Sequence, residues 1–210
     1  MTLIFDLDKT LYPSNNGLFK KVDERINEYL VKYIKIPENS VNKIRYNYWL
    51  KYGTTLNGLM KFYNINPIHY LDFVHDVDID KFLKEDEELK DILKAIPVKK
   101  YVLTNGYLPF AKKVLEKIGI REYIEDVFDI VWLDFIPKPY FYGYRKIIKT
   151  LKVNPENSVF FDDFYLNLFP AKHLKMTTVL VNNGRENFYF VDCKISDIKK
   201  LKNLKFIIDF

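Results

Sequence analysis

The chain has a single cysteine, Cys193, among 210 residues. That excludes an internal disulfide framework and fits a reducing compartment. No apolar run approaches the roughly 20 residues needed to cross a bilayer. The early stretch Thr2-Leu3-Ile4-Phe5 leads straight into acidic residues and is too short for a signal peptide. A cytoplasmic protein with no membrane partner is therefore expected. Long basic runs are missing too, since the lysines are scattered and cluster only as pairs such as Lys99-Lys100 and Lys112-Lys113. The net charge of +5 reads as a bias of a chain rich in Lys, Ile, Asn, Tyr and Phe rather than as a nucleic-acid surface. Internal repeats and low-complexity tracts are absent. What remains is 48% hydrophobic and 29% charged, the balance of a folded globular chain with one domain or one domain plus a modest insertion.

Five short apolar runs have strand character: Leu3–Leu7, Tyr101–Thr104, Ile130–Leu133, Val159–Phe161 and Thr178–Val181. Most lack polar alternation, as expected of strands buried on both faces of a parallel sheet. Helical patterns over 109–118, 139–151 and 165–174 separate the later runs, with Pro109 and Pro139 suited to first helical turns. The alternation from about residue 97 onward predicts a doubly wound α/β sheet. About ninety residues separate the first two strands, and helical spacing runs through 18–35, 40–52, 55–63, 67–75 and 85–95. The expected organisation is a Rossmann-like core of residues 1–12 and 97–210, with a helical insertion over 13–96.

In an open parallel sheet, ligands bind beyond the carboxyl ends of the strands. There the sequence places Asp6 and Asp8 after the first strand, Thr104-Asn105-Gly106 after the second, and Asp162-Asp163 at the end of the run over 159–161. Lys138, between Pro137 and Pro139, opens a nearby helix. So many carboxylates at one edge repel one another unless a divalent cation sits among them. Oxygen donors without His or Cys favour Mg²⁺ over zinc. Such a site suits a dianionic phosphate, held by the metal, the Lys138 ammonium and loop N–H groups. In Asp6-x-Asp8 one carboxylate can attack phosphorus to form an aspartyl phosphate. The other can protonate the leaving oxygen and then activate water.

The segments Asp6-Leu7-Asp8-Lys9-Thr10-Leu11, Thr104-Asn105, Lys138 and Asp162-Asp163 resemble, in order, the four motifs of the haloacid dehalogenase-like (HAD) superfamily. The helical insertion corresponds to that family's C1-type cap. Tyr52–Leu59, Tyr70–Asp76, Thr104–Gly106 and Phe160–Asp163, with Asn167, look like its pyrimidine 5′-nucleotidase branch. The resemblance implies Mg²⁺-dependent phosphomonoester hydrolysis with a small phosphorylated metabolite as partner, a nucleoside monophosphate such as UMP or CMP, and a monomer or weak homodimer; the alternatives are a phosphatase of a sugar phosphate or other small metabolite, and a non-catalytic phosphate-ligand binding protein on the same fold. It implies Asp6 as nucleophile and Asp8 as general acid/base, with Thr104, Asn105 (through its backbone) and Lys138 on the phosphate. Mg²⁺ would be held by Asp6, the Asp8 carbonyl and Asp162, with Asp163 supporting. In the cap, Tyr48, Tyr52, Thr54 and Thr55 are the expected specificity residues.

Three positions depart from the family pattern. Lys9 stands where relatives often have Asn, Gly or Ser, Phe164 replaces a frequent Ser, and Lys175 replaces a helix-ending Gly. Two other constellations are set aside. Asp76, Asp78, Asp80 and Glu87 match a calcium-loop spacing but carry Lys81 where its sharp turn needs Gly. His69, Asp72 and His75 share helical spacing without an evident third strong ligand.

Overall fold

The computed structural model describes residues 1–184 and 186–208; Arg185, Asp209 and Phe210, inside the expected core segment, lie outside the described residues. The chain divides into two compact units, one of Met1–Asn16 with Leu83–Phe210 and the other Gly17–Phe82.

The unit Gly17–Phe82 holds α1 (Leu18–Lys32), α2 (Glu38–Tyr52), α3 (Thr55–Tyr63) and α4 (Pro67–Val74). Gly53, at φ 80°, ends α2 in the left-handed conformation that glycine adopts at little cost. Thr54 Oγ1 then accepts the Asn57 N–H and caps α3. Asn66 Oδ1 caps α4 by accepting from Ile68 N and His69 N, with Pro67 in the first turn. The Arg25 guanidinium lies 3.9 Å from the centre of the Phe73 ring and donates to the Phe73 carbonyl, tying α1 to α4. Arg45 on α2 donates to the carboxylate and carbonyl of Asp23 and to Asn27 on α1.

α2 and α3 meet at a glycine. A Cβ on Gly58 would come within 2.2–2.6 Å of Tyr48 Cγ, Cδ2 and Cβ. These atoms sit near the Tyr48 backbone and cannot swing clear. Gly58→Ala is therefore expected to lower stability, because an overpacking cost of about 1–3 kcal/mol outweighs a helix-propensity gain of up to ~1 kcal/mol. Urea titration checks this, and the sign should reverse in a Tyr48→Ala background. An unchanged midpoint in the single variant would contradict the close approach.

The other unit contains β1 (Thr2–Phe5), α5 (Glu87–Ala95), β2 (Lys99–Leu103), α6 (Leu108–Lys117), β3 (Asp126–Phe128), α7 (Phe141–Leu151), β4 (Ser158–Asp162), α8 (Tyr165–His173), β5 (Thr177–Val181), β6 (Cys193–Ile195) and α9 (Lys205–Ile208). Among the described residues, the strands form one parallel sheet in the order β3-β2-β1-β4-β5-β6. This is the doubly wound α/β arrangement expected from the sequence. Leu3, Ile4, Phe5, Val102, Phe160 and Phe161 are all completely buried, which explains strands with no polar face. Phe5 stacks on Phe161 at 4.7 Å, and Tyr144 from α7 packs edge-on against Phe160. Strand order reverses between β1 and β4, so the ends of these neighbours form the switch-point crevice.

Two expectations are corrected, and one strand was not expected. The run Ile130–Leu133 is not a strand; β3 lies earlier, at Asp126–Phe128. The Asp129 carboxylate accepts N–H groups from Trp132 and Leu108, and Leu133 N bonds to Asp129 O, so the chain turns there instead of extending. Ile130 and Leu133 are apolar because they are buried in that turn. The inserted unit spans Gly17–Phe82 rather than 13–96. α5 belongs with the sheet: Leu89, Ile92 and Leu93 are buried, Asp86 N bonds to Ile118 O, and Lys199 pairs with Asp86 at 3.0 Å. Finally, β6 was not legible, since Cys-Lys-Ile is too short to carry a periodicity.

Candidate active site

The crevice is built from three strand ends and one loop. Asp6 extends the β1 register, its N–H donating to Phe161 O at 2.8 Å. The chain then turns tightly, with Thr10 N and Leu11 N both bonded to Leu7 O. Lys9 occupies this turn at φ 64°, a left-handed conformation costly for a residue with a Cβ. Lys175 likewise sits at φ 68° after α8.

The Asp6 carboxylate is held on both oxygens. Thr10 Oγ1 donates to Oδ2 at 3.1 Å, and Lys138 Nζ donates to Oδ1 at 2.7 Å. The same ammonium reaches Asp162 Oδ2 at 2.8 Å, so one buried cation bridges the ends of β1 and β4. Burial alone would lower the Lys138 ammonium, but Asp162 and Asp6 more than offset it and hold the proton firmly. Asp162 Oδ1 also accepts from Phe164 N and Asn167 Nδ2, and the same amide reaches Oδ2. Despite these donors, burial pushes Asp162 up to about 6.

Lys138 is set in place by Asn105. The Asn105 amide donates to Lys138 O at 3.1 Å and accepts from Lys138 N at 2.8 Å. The Asn105 side chain thus braces the lysine backbone, a role the sequence did not suggest. Thr104, buried at the end of β2, accepts the Gly106 N–H at 2.9 Å on Oγ1, which leaves its hydroxyl proton free to donate to a ligand.

Asp8 faces a different set of groups. Tyr12, buried and four residues on, donates its hydroxyl to Asp8 Oδ1. Burial, with repulsion from Asp6, raises Asp8 to about 6, while Tyr12, Lys138 and Lys9 oppose the rise. The Lys9 charge is therefore felt at Asp8.

Carboxylate oxygens of Asp6, Asp162 and Asp163 lie within 4.8 Å of one another, the one group of this kind among the described residues. Among the described residues the Asp163 carboxylate has no hydrogen-bond partner, although its carbonyl accepts from Asn182 Nδ2; burial, then Asp6 and Asp162, push it up to about 8. A hard-oxygen donor set with one uncompensated acid fits a small divalent cation such as Mg²⁺. Asp162 already accepts four hydrogen bonds, about the capacity of a carboxylate, so a cation reaching it displaces one donor.

The other candidates have local partners. Tyr48 stacks on Phe62 at 5.7 Å, and Tyr52 meets the same ring edge-on. Thr54 is the α3 cap, and Thr55 is buried beside it. His69 Nδ1 is hydrogen-bonded to the Tyr29 hydroxyl and His75 Nδ1 to Leu71 O, while burial pushes His75 down to about 4. Asp78 pairs with Lys81. Sequence reasoning missed Tyr12 and the supporting bond from Thr10. The signal available for both was their spacing four residues beyond Asp8 and Asp6.

A family model for haloacid dehalogenase-like hydrolases matches residues 1–173, which include every strand-end residue above. The chain belongs to the haloacid dehalogenase-like hydrolase family. Solved structures similar to this hydrolase include an HAD phosphatase from Thermococcus onnurineus, with TM-score 0.68 and 18% identity over 97% of this chain and 96% of that one. Another is a Bacillus subtilis HAD-hydrolase bound to magnesium, with TM-score 0.64 and 16% identity over 97% of each chain. A third is an L-2-haloacid dehalogenase from Xanthobacter autotrophicus with chloropropionic acid covalently bound, with TM-score 0.61 and 14% identity over 97% of each chain. At such identities the likeness establishes the fold. A 47-residue stretch is 45% identical to mouse bifunctional epoxide hydrolase 2, covering 22% of this hydrolase but 8% of that protein.

Proposed function

We propose that this hydrolase cleaves phosphomonoesters through an aspartyl phosphate on Asp6, with Asp8 as general acid and then general base. One observation carries the reading. A second, half-buried acid stands two residues beyond Asp6, raised to about 6 and so able to change protonation near neutral pH. A dehalogenase has no leaving alkoxide to protonate and no use for that acid.

In the first step an Asp6 oxygen forms a bond to phosphorus while the bond to the leaving oxygen breaks, and that oxygen takes the Asp8 proton. In the second, Asp8 removes a proton from water as the water oxygen displaces Asp6. Lys138 orients the Asp6 carboxylate, and the Thr104 hydroxyl is placed to donate to a phosphoryl oxygen. Asp6, Asp162 and Asp163, with the Asp8 carbonyl, would hold Mg²⁺, which when bound would neutralise charge on the transferring phosphoryl group.

The substrate class is a pyrimidine nucleoside 5′-monophosphate. Its support is the resemblance of Tyr52–Leu59 and Tyr70–Asp76 to the nucleotidase branch, together with the aromatic pair Tyr48 and Tyr52. Phosphate release from nucleoside monophosphates and sugar phosphates, with Mg²⁺ and with EDTA, tests both levels. Metal-dependent release favouring UMP or CMP is expected. Release from other esters only would remove the nucleotide assignment and keep the chemistry. No release from any ester would remove both.

A further inference from the structure

Asp8 has two oxygens, and the structure treats them differently. Oδ1 accepts the Tyr12 hydroxyl. Oδ2 lies on the side of the β2 loop: a Cβ on Gly106 would stand 3.4 Å from Asp8 Oδ2 and 3.1 Å from Thr104 Oγ1. Gly106 thus leaves open a space bordered by the Asp8 oxygen and the Thr104 hydroxyl. Tyr12 is buried, and Asp8 is its one hydrogen-bond partner among the described residues.

A phenol at neutral pH is a proton donor to a carboxyl group. The oxygen that accepts its bond is the carbonyl-like oxygen of a protonated carboxyl, and the acidic hydrogen stays on the other. We propose that Tyr12 is a positioning residue for Asp8, holding Oδ1 so that Oδ2 carries the proton given to the leaving oxygen beside Thr104. This rests on the phosphomonoesterase reading above. As P–O(leaving) breaks and Asp6–P forms, the proton moves from Oδ2 to the leaving oxygen. Oδ2 recovers a proton from the attacking water in the second half. Tyr12 keeps its own proton throughout.

A residue that only filled space would matter equally for every substrate. A residue that aims the acid matters only where the leaving group needs a proton. The test is kcat/KM in Mg²⁺ for p-nitrophenyl phosphate, whose leaving phenolate departs unprotonated, and for uridine 5′-monophosphate and glycerol phosphate, which release alkoxides. Because kcat/KM reports the first irreversible step, the later hydrolysis does not enter. Native protein, Tyr12→Phe, Asp8→Asn and the double variant are compared. The ratio of alkyl to aryl values is independent of the folded fraction, so partial misfolding of a variant leaves it readable.

Tyr12→Phe is expected to lower the alkyl values on the order of 10-fold and the aryl value less than about 3-fold, as a fraction of the roughly 10²–10⁴-fold contributed by a general acid. Asp8→Asn should show the same pattern with a larger alkyl loss, and adding Tyr12→Phe to it should change the ratio no further. An equal loss on aryl and alkyl esters, no loss at all, or an undiminished effect in the double variant would each overturn the proposal while the phosphomonoesterase reading stood. Native protein inactive on every ester would overturn the phosphomonoesterase reading, and the Tyr12 role with it.

Discussion

Asp6→Asn is expected to reduce phosphate release on the order of 10⁴-fold or more, because the attacking oxygen is lost and no neighbouring group replaces it. The substitution preserves shape. The amide oxygen can still accept from Thr10 or Lys138, and Lys138 keeps its second partner, Asp162. A melting temperature within about 4 °C of the native value is therefore expected, a shift matching roughly 1 kcal/mol for a protein of this size. Steady-state kinetics with thermal melts would check both halves. Retention of more than a few percent of native kcat would sink the nucleophile assignment. An unfolded variant would show instead that the Asp6 charge is structural, paired to Lys138.

The second large effect concerns stability. Lys138→Met removes the cation that bridges two buried carboxylates. Taking one partner from a buried pair leaves the rest uncompensated, at a cost of about 3–5 kcal/mol. The deficit should also depend on pH. Burial already raises Asp162 to about 6 with Lys138 present, above the ordinary carboxylate range, and Lys138 is its largest opposing influence. Without the ammonium the acid rises further. A carboxyl raised in the folded state holds a proton the unfolded chain has given up, so its share of stability is present at low pH and lost as pH climbs through the raised value. The gap between native and variant should therefore be narrower at pH 5 than at pH 8. Urea titrations in EDTA at both values measure this, and a small deficit independent of pH would mean the ammonium is not what stabilises the cluster.

Both expectations depend on groups that differ in how legible they were. Asp6, Asp8, Thr104 and Asp162 could be placed because each follows an apolar run, and an apolar run without alternation reports a strand buried on both faces. The same logic misplaced β3. Ile130 and Leu133 are as buried as strand residues, yet Asp129 captures two backbone N–H groups and turns the chain. Burial pattern reports environment and says nothing of hydrogen-bond direction. α5 was read with the insertion because helical periodicity shows that an apolar face is covered without showing what covers it.

The sequence by itself determined four of the six strands, the helices between them, the presence of a long helical insertion, and the ordered strand-end residues on which the proposed chemistry rests. Each of these is local, arising from side-chain period, turn residues or short spacing. Only the tertiary structure decided that one ammonium joins Asp6 to Asp162, that Asn105 braces the backbone of Lys138, and that Asp8 offers Oδ2 to the loop of Thr104. Asp6 and Lys138 are 132 positions apart, and their contact exists only because the sheet reverses its order beside β1. A hydrogen bond needs atoms within about 3 Å in a set direction, and no periodicity along a chain specifies that.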